Sequence, residues 1–135
     1  MPTSVNDRIQ SFLASSSFAV VGASIDRSKY GNKVLRCYQQ HGKEVYPINA
    51  RASEVEGLKA YPSLAALPVK VQAISIITPP AVTEQVVRDA AAAGVTHIWM
   101  QPGAESDAAI DTAEALGMAV IAGGPCLLVV MGYHE

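Results

Sequence analysis

Phe18-Ala-Val-Val-Gly-Ala-Ser24 is the stretch whose reading decides how this chain folds. A short continuous apolar run, closed by turn residues, describes a strand buried on both faces. Such strands occur where a parallel sheet is covered by helices on either side. Downstream, a polar loop runs through Gly31, and Val34, Leu35 and Tyr38 then form a helical stripe that stops at Gly42. Upstream, Ser4 and Asp7 make a capping-box pattern, with Val5, Ile9, Phe12 and Leu13 on one helical face. The same alternation continues to the end of the chain. Glu44–Ile48 reads as a strand, with Pro47 near its end, where a missing donor costs least. Gln72–Thr78 is the clearest strand, and Pro80 suits the first turn of a helix carrying Val82, Val86, Val87 and Ala90 up to Gly94. Thr96–Gln101 is a fourth strand; Ala109, Ala113 and Leu116 line a helix ending at Gly117; Met118–Ala122 is a fifth strand. Asn49–Pro68 holds no long periodic element and is expected to contain a short helix near Ser63–Leu67. The expected architecture is α/β: a single Rossmann-like, doubly wound parallel sheet of five strands in the order 3-2-1-4-5, one domain over residues 1–135.

Composition narrows the function. The formal net charge is −2, against the basic footprint of a nucleic-acid binder. Every Lys and Arg lies at or before Arg88, so an anionic ligand would be held by the first half. Asp7 and Arg8 interrupt the region where a signal peptide needs its apolar core. Ala119–Gly132 is too short and too broken by Gly123, Gly124 and Pro125 to span a bilayer. Cys37 and Cys126 form no spaced pair for a metal or redox motif. The expectation is a reduced, cytoplasmic protein.

In a doubly wound sheet, ligands bind beyond the carboxyl ends of the strands, where strand order reverses. That selects the loops after Ala23, Asn49, Thr78 and Gln101. Gly22-Ala-Ser-Ile-Asp-Arg-Ser-Lys-Tyr-Gly31 joins a strand to a helix, so its N–H groups and the helix start can cradle a phosphate. Arg27, Lys29 and Lys33 lie in or just after it. The same glycines also serve a plain tight turn, because the pattern departs from Gly-x-Gly-x-x-Gly. On the phosphate reading, Gly22 and Gly31 give close backbone approach to a pyrophosphate, and Gly22→Val abolishes binding while leaving the fold largely intact. An NAD enzyme usually carries Asp or Glu at the end of its second strand, to bond the ribose hydroxyls. Here Asn49 and Arg51 stand there, which suits a phosphorylated ribose better than a free diol; a solvated surface Arg is the alternative. Thr78-Pro79-Pro80 forms a stiff wall for an adenine face or an apolar arm, or simply a proline-started helix. Gln101 ends the fourth strand and could bond a pantetheine amide, or merely close a turn.

Val20-Val-Gly-Ala-Ser24, Tyr30-Gly31, Val45-Tyr-Pro-Ile-Asn49, Thr78-Pro-Pro80 and Ile98-Trp-Met-Gln-Pro-Gly103, in that order, resemble the small standalone CoA-binding proteins. Those are similar to the N-terminal domain of the succinyl-CoA synthetase alpha subunit. The resemblance implies coenzyme A or an acyl-CoA as ligand. It places the pyrophosphate on Gly22, Ala23, Ser24, Arg27, Lys29, Tyr30 and Gly31, and the adenosine end near Asn49 and Arg51. The nucleotide or pantetheine would lie on Thr78, Pro79 and Pro80. Ala50 stands where the family often has Pro, and Gly124-Pro125 precedes Cys126 where it often has Asp-Arg. No role for Cys126 is therefore carried over.

No catalytic residue and no metal site is expected. His41, His97 and His134 lack metal-like spacing; His41 suits a helix end, His97 a structural place early in a strand, and His134 a C-terminal tail prone to disorder. Ser24 has no base beside it, and Trp99 reads as core or subunit contact. The expected function is a non-catalytic CoA carrier, sensor or regulatory module, self-associating or joined to a partner enzyme subunit. The alternatives are an NAD(P)-binding redox protein and the CoA-binding subunit of a split acyl-CoA ligase.

Overall fold

The computed structural model describes residues 4–135. Helix α1 (Val5–Leu13) starts where the Asp7 N–H donates to Ser4 Oγ at 3.1 Å, and it leads into β1 (Phe18–Val21). The chain then alternates through α2 (Tyr30–Gln40), β2 (Val45–Ile48) and a two-residue antiparallel pair, β3 (Glu54–Val55) and β4 (Leu58–Lys59). A short 3-10 turn at Leu64–Ala66 meets the expectation for that region. The second half runs β5 (Ala73–Ile76), α3 (Pro80–Ala92), β6 (His97–Met100), α4 (Asp107–Ala115), β7 (Ala119–Ile121) and α5 (Leu127–Met131).

Five strands form one parallel sheet in the order β2-β1-β5-β6-β7. Outside β2, Tyr61 makes a single parallel bridge to Ile48, so the outermost place of the 3-2-1-4-5 type of order is held by one residue. The clearest apolar run, third of those read from the sequence, is β5 and lies against β1 instead. Pro47 fits this edge: its carbonyl accepts the Tyr61 N–H at 3.0 Å, and the donor it lacks is needed by no neighbouring strand.

Alternate residues of the parallel sheet's strands feed two separate cores, which is why these strands read as mostly apolar runs. Ala19, Val21, Ile74, Ile76, Ile98 and Met100 pack under α3 and α4. Phe18, Val20, Ala73 and Trp99 pack under α1, α2 and α5. Phe12, Phe18, Tyr38 and Trp99 form an aromatic cluster there, with centroids 4.8–5.6 Å apart. Tyr38 keeps its hydroxyl satisfied in this setting through Ser75 Oγ at 2.7 Å, and burial pushes its phenol pKa well above the ordinary value.

Val21, Ile48, Ile76 and Met100 lie in one row across the sheet. The loops that follow β1, β2, β5 and β6 therefore emerge side by side. Since β2 and β5 flank β1, the crevice between the β1 and β5 loops is the switch point.

Candidate functional site

Three backbones converge at the switch point. Gly22 has φ +95°, and a Cβ there would stand 2.1 Å from the Ile77 carbonyl oxygen. A Cβ on Gly31 would stand 2.0 Å from the Gly22 carbonyl oxygen. The glycines thus let β1, the end of β5 and the first turn of α2 touch without side chains between them. This corrects the sequence reading: the room they leave is filled by the protein's own backbone, and Gly22→Val cannot leave the fold largely intact. They set the start of α2 beside the crevice.

The first loop is braced by its own polar groups. Ser24 Oγ accepts the Asp26 N–H at 3.0 Å, and Asp26 Oδ1 accepts the Ser28 N–H and hydroxyl at 3.0 and 2.6 Å. Those two bonds hold the Asp26 carboxyl below its ordinary pKa. Asn32, fully buried, donates to the Ser24 carbonyl at 2.9 Å, and Arg36 donates to Asn32 Oδ1 at 2.6 Å and to the Arg27 carbonyl at 3.0 Å. Asn32 and Arg36 were missed in the sequence. Their only signal is the i, i+4 spacing of a polar pair on the helix that also carries the core stripe.

The start of α2 suits an anion. Its N-cap residue, Lys29, makes no side-chain capping bond, and no acidic residue occupies the first turn. First-turn N–H groups and the helix dipole thus face the loop with positive polarity. Arg27 and Lys29 are exposed on the same loop. Lys33 is instead paired with Glu135 at 2.9 Å.

Asn49 ties the β1 and β2 loops together: Nδ2 donates to the Ala23 carbonyl at 2.8 Å, and Oδ1 accepts the Arg51 and Ala52 N–H groups at 2.8 and 2.9 Å. Every hydrogen bond its amide makes is internal. The Arg51 guanidinium is exposed beside it and makes no ion pair or hydrogen bond among the described residues.

A cleft of about 240 Å³ opens at the carboxyl ends of β5 and β6, lined by Tyr30, Ile77, Thr78, Pro79 and residues 101–104. It would hold one arm of a long ligand rather than the whole of it. Pro79 is the N-cap of α3 and Pro80 its first residue, so the stiff wall and the helix start are one feature. Thr78 Oγ1 is engaged with Thr83 Oγ1 at 2.7 Å. A larger hollow of about 660 Å³, lined by Leu64, Pro68, Lys70, Asp89 and Val95, sits at the opposite end of the sheet, away from the switch point.

Gln101 is engaged by internal contacts at the end of β6. It is 2 % exposed; its Oε1 accepts the Leu127 N–H at 3.0 Å, and its Nε2 lies 3.7 Å from Cys126 Sγ. The amide holds the start of α5, a helix that the glycines and proline before it hid from the sequence, while the residue also lines the cleft. Gln101→Leu strands the buried Leu127 N–H, and the expected loss is about 1–3 kcal/mol in urea denaturation.

The other residues singled out are structural. His97 bonds Ser11 at 2.7 Å and Thr96 at 2.8 Å at the far end of the sheet, and burial lowers its pKa. The His41 Nδ1 donates to the Cys37 carbonyl at 2.9 Å, near the end of α2. Trp99 is fully buried, its Nε1 bonded to the Pro125 carbonyl at 3.0 Å, so it is core and not a subunit contact. The tail is docked, not loose: the His134 N–H donates to Gln40 Oε1 at 3.0 Å. Cys37 is buried, which together with the nearby Cys126 raises its thiol pKa to about 11. Iodoacetamide at neutral pH should therefore label the partly exposed Cys126 first in the native protein, as peptide mapping would register. Among the described residues no group of His, Cys, Asp and Glu could hold a metal ion, and no helix is long and apolar enough to cross a membrane.

A five-stranded parallel sheet with helices on both faces and a glycine-bounded strand-to-helix loop at its switch point defines a Rossmann-like domain. The chain belongs to the CoA binding domain family, whose model matches residues 16–132. It is 30 % identical over 127 residues to the alpha subunit of an ADP-forming acetate–CoA ligase II from Pyrococcus furiosus; the match covers 86 % of this chain and 27 % of that subunit. The chain thus spans about a quarter of the length of that relative. Among solved structures, a conserved hypothetical protein from Pyrococcus furiosus is 40 % identical with a TM-score of 0.79, covering 84 % of this chain and 97 % of its own. A hypothetical protein from Pyrococcus horikoshii is 28 % identical with a TM-score of 0.87, covering 94 % and 89 %.

Proposed function

We propose that this chain binds coenzyme A or an acyl-CoA at the β1/β5 switch point and acts as a non-catalytic carrier, sensor or regulatory module in a single domain over residues 1–135. The observation that carries the reading is the end of β2. Asn49 spends both ends of its amide on backbone groups, so no carboxylate and no spare amide oxygen awaits a ribose diol there. Arg51 stands exposed beside it as a partner for a phosphorylated ribose. The pyrophosphate would meet the loop from Gly22 to Gly31, with Ser24, Arg27 and Lys29 and the start of α2. Tyr30, Thr78 and Pro79 line the cleft for the pantetheine arm. Membership of the CoA binding domain family supports the ligand class.

Native mass spectrometry of the purified chain, with CoA, NAD or NADP added in turn, tests this directly. A bound mass equal to CoA, with no retained dinucleotide at equal concentration, is the expected spectrum. Tighter retention of NAD or NADP would replace the proposal with the redox alternative.

A second reading is supported by the ligase relative: the chain supplies the CoA-binding part of a split acyl-CoA ligase. Both readings expect no turnover by this chain alone, since among the described residues no nucleophile–base pair lies at the switch point. Acetyl-CoA incubated with it should hydrolyse at the buffer rate. Faster hydrolysis, lost in Cys126→Ala, would give that cysteine a catalytic role.

A further inference from the structure

Glu56 is an acidic side chain that reaches the first loop from another part of the chain. It sits at the turn between β3 and β4 with φ +48°, a left-handed conformation uncommon for a residue with a long side chain. That turn is pressed onto α2, where Gln39 Nε2 donates to the Glu56 carbonyl at 3.1 Å. The carboxylate reaches beyond this contact. Its Oε2 accepts from Asn32 Nδ2 at 2.9 Å and lies 3.4 Å from Arg27 Nε. Asn32 belongs to the first turn of α2, the helix that carries no acidic residue there and no side-chain cap. Glu56 therefore brings a negative charge from the hairpin to this helix start and to Arg27, besides the loop's own Asp26.

We propose that Glu56 is an internal competitor for a phosphate group of the ligand. Its carboxylate occupies an anion position on Arg27 and Asn32, and the ligand must displace it. The inference rests on the CoA reading for the ligand's identity, while the competition itself is a property of the protein's own groups. The hairpin then acts as a gate on affinity: the site holds an anion in either state, its own or the ligand's. The pair is weak enough to exchange. Arg27 is 65 % exposed and Glu56 21 %, so their attraction is screened by solvent.

Calorimetric titration of wild type, Glu56→Gln, Arg27→Gln and the double variant with CoA and 3′-dephospho-CoA tests the proposal. Glu56→Gln retains an oxygen for Asn32 but removes the charge. It should bind at least one of the two ligands about three- to fivefold more tightly. The gain should disappear in the Arg27→Gln background, because Arg27 is the group being contested. A gain for both ligands places the displaced position under the pyrophosphate; a gain for CoA alone places it under the 3′-phosphate. Unchanged or weaker binding by Glu56→Gln, with a lower melting temperature, would mean that Glu56 only clasps the hairpin, and the proposal falls. Should Glu56→Gln fail to fold, Glu56→Asn carries the same expectation, since Asn tolerates a left-handed conformation. Inorganic pyrophosphate in a thermal-shift assay separates the two hypotheses. It should stabilise Glu56→Gln more than wild type even if CoA binds neither, and no difference there overturns the competition by itself.

Discussion

Gly22→Ala and Gly31→Ala should each lower the melting temperature by roughly 10 °C or more, the largest stability effects expected from a single methyl group in this protein. At Gly22 two costs combine. A side chain at φ +95° is disfavoured by about 1–2 kcal/mol, and the added Cβ would lie 2.1 Å from a backbone oxygen that cannot move without parting β1 from β5. At Gly31 the first cost is absent, but the 2.0 Å overlap with the Gly22 carbonyl forces α2 away from the sheet. Overpacking of this kind costs about 1–3 kcal/mol or more. That is a large part of the roughly 5–15 kcal/mol that holds an ordinary domain together. Gly57→Ala is the control: its φ is +79°, yet nothing lies within 4 Å of the added carbon, so it reports the conformational cost alone. Urea denaturation of the three variants separates the contributions. A loss at Gly22 no larger than at Gly57 would mean that the strands yield easily and that the contact is not a constraint.

The second large effect is on affinity. CoA should stabilise the protein most in a thermal-shift assay at equal concentrations, 3′-dephospho-CoA less, and NAD little or not at all. The expected gap between the first two is about tenfold to a hundredfold in affinity, the worth of a charge-assisted contact of about 1.5–3 kcal/mol. Arg51 is the group held responsible, because its guanidinium is exposed at the end of β2 and unpaired among the described residues. Arg51→Ala should bring CoA and dephospho-CoA together, and so should high salt, which screens exposed charges. An undiminished gap in Arg51→Ala would move the 3′-phosphate elsewhere, with Lys29 the next group to change. NAD shifting the melting point more than CoA would overturn the ligand class.

What could be read from the sequence alone was whatever rests on local pattern. The five strands of the parallel sheet were legible as short, mostly apolar runs, because their alternate residues enter different cores; the short β3–β4 pair was not. The switch-point loop was legible as a strand that gives way to Gly22, polar residues and Gly31 before a helical stripe. The ends of helices followed from their glycines, and the CoA-binding family from the order of short motifs. The tertiary structure alone decided which polar groups remain available. Gln101 and Leu127, and Asn49 and Ala23, are each 26 residues apart, yet each pair meets through a hydrogen bond. Glu56 lies well beyond the first loop in sequence, yet the β3–β4 turn brings it to Arg27. Spacing along the chain cannot reveal such meetings, because a side chain's hydrogen-bonding capacity is spent on whatever the fold brings within about 3 Å.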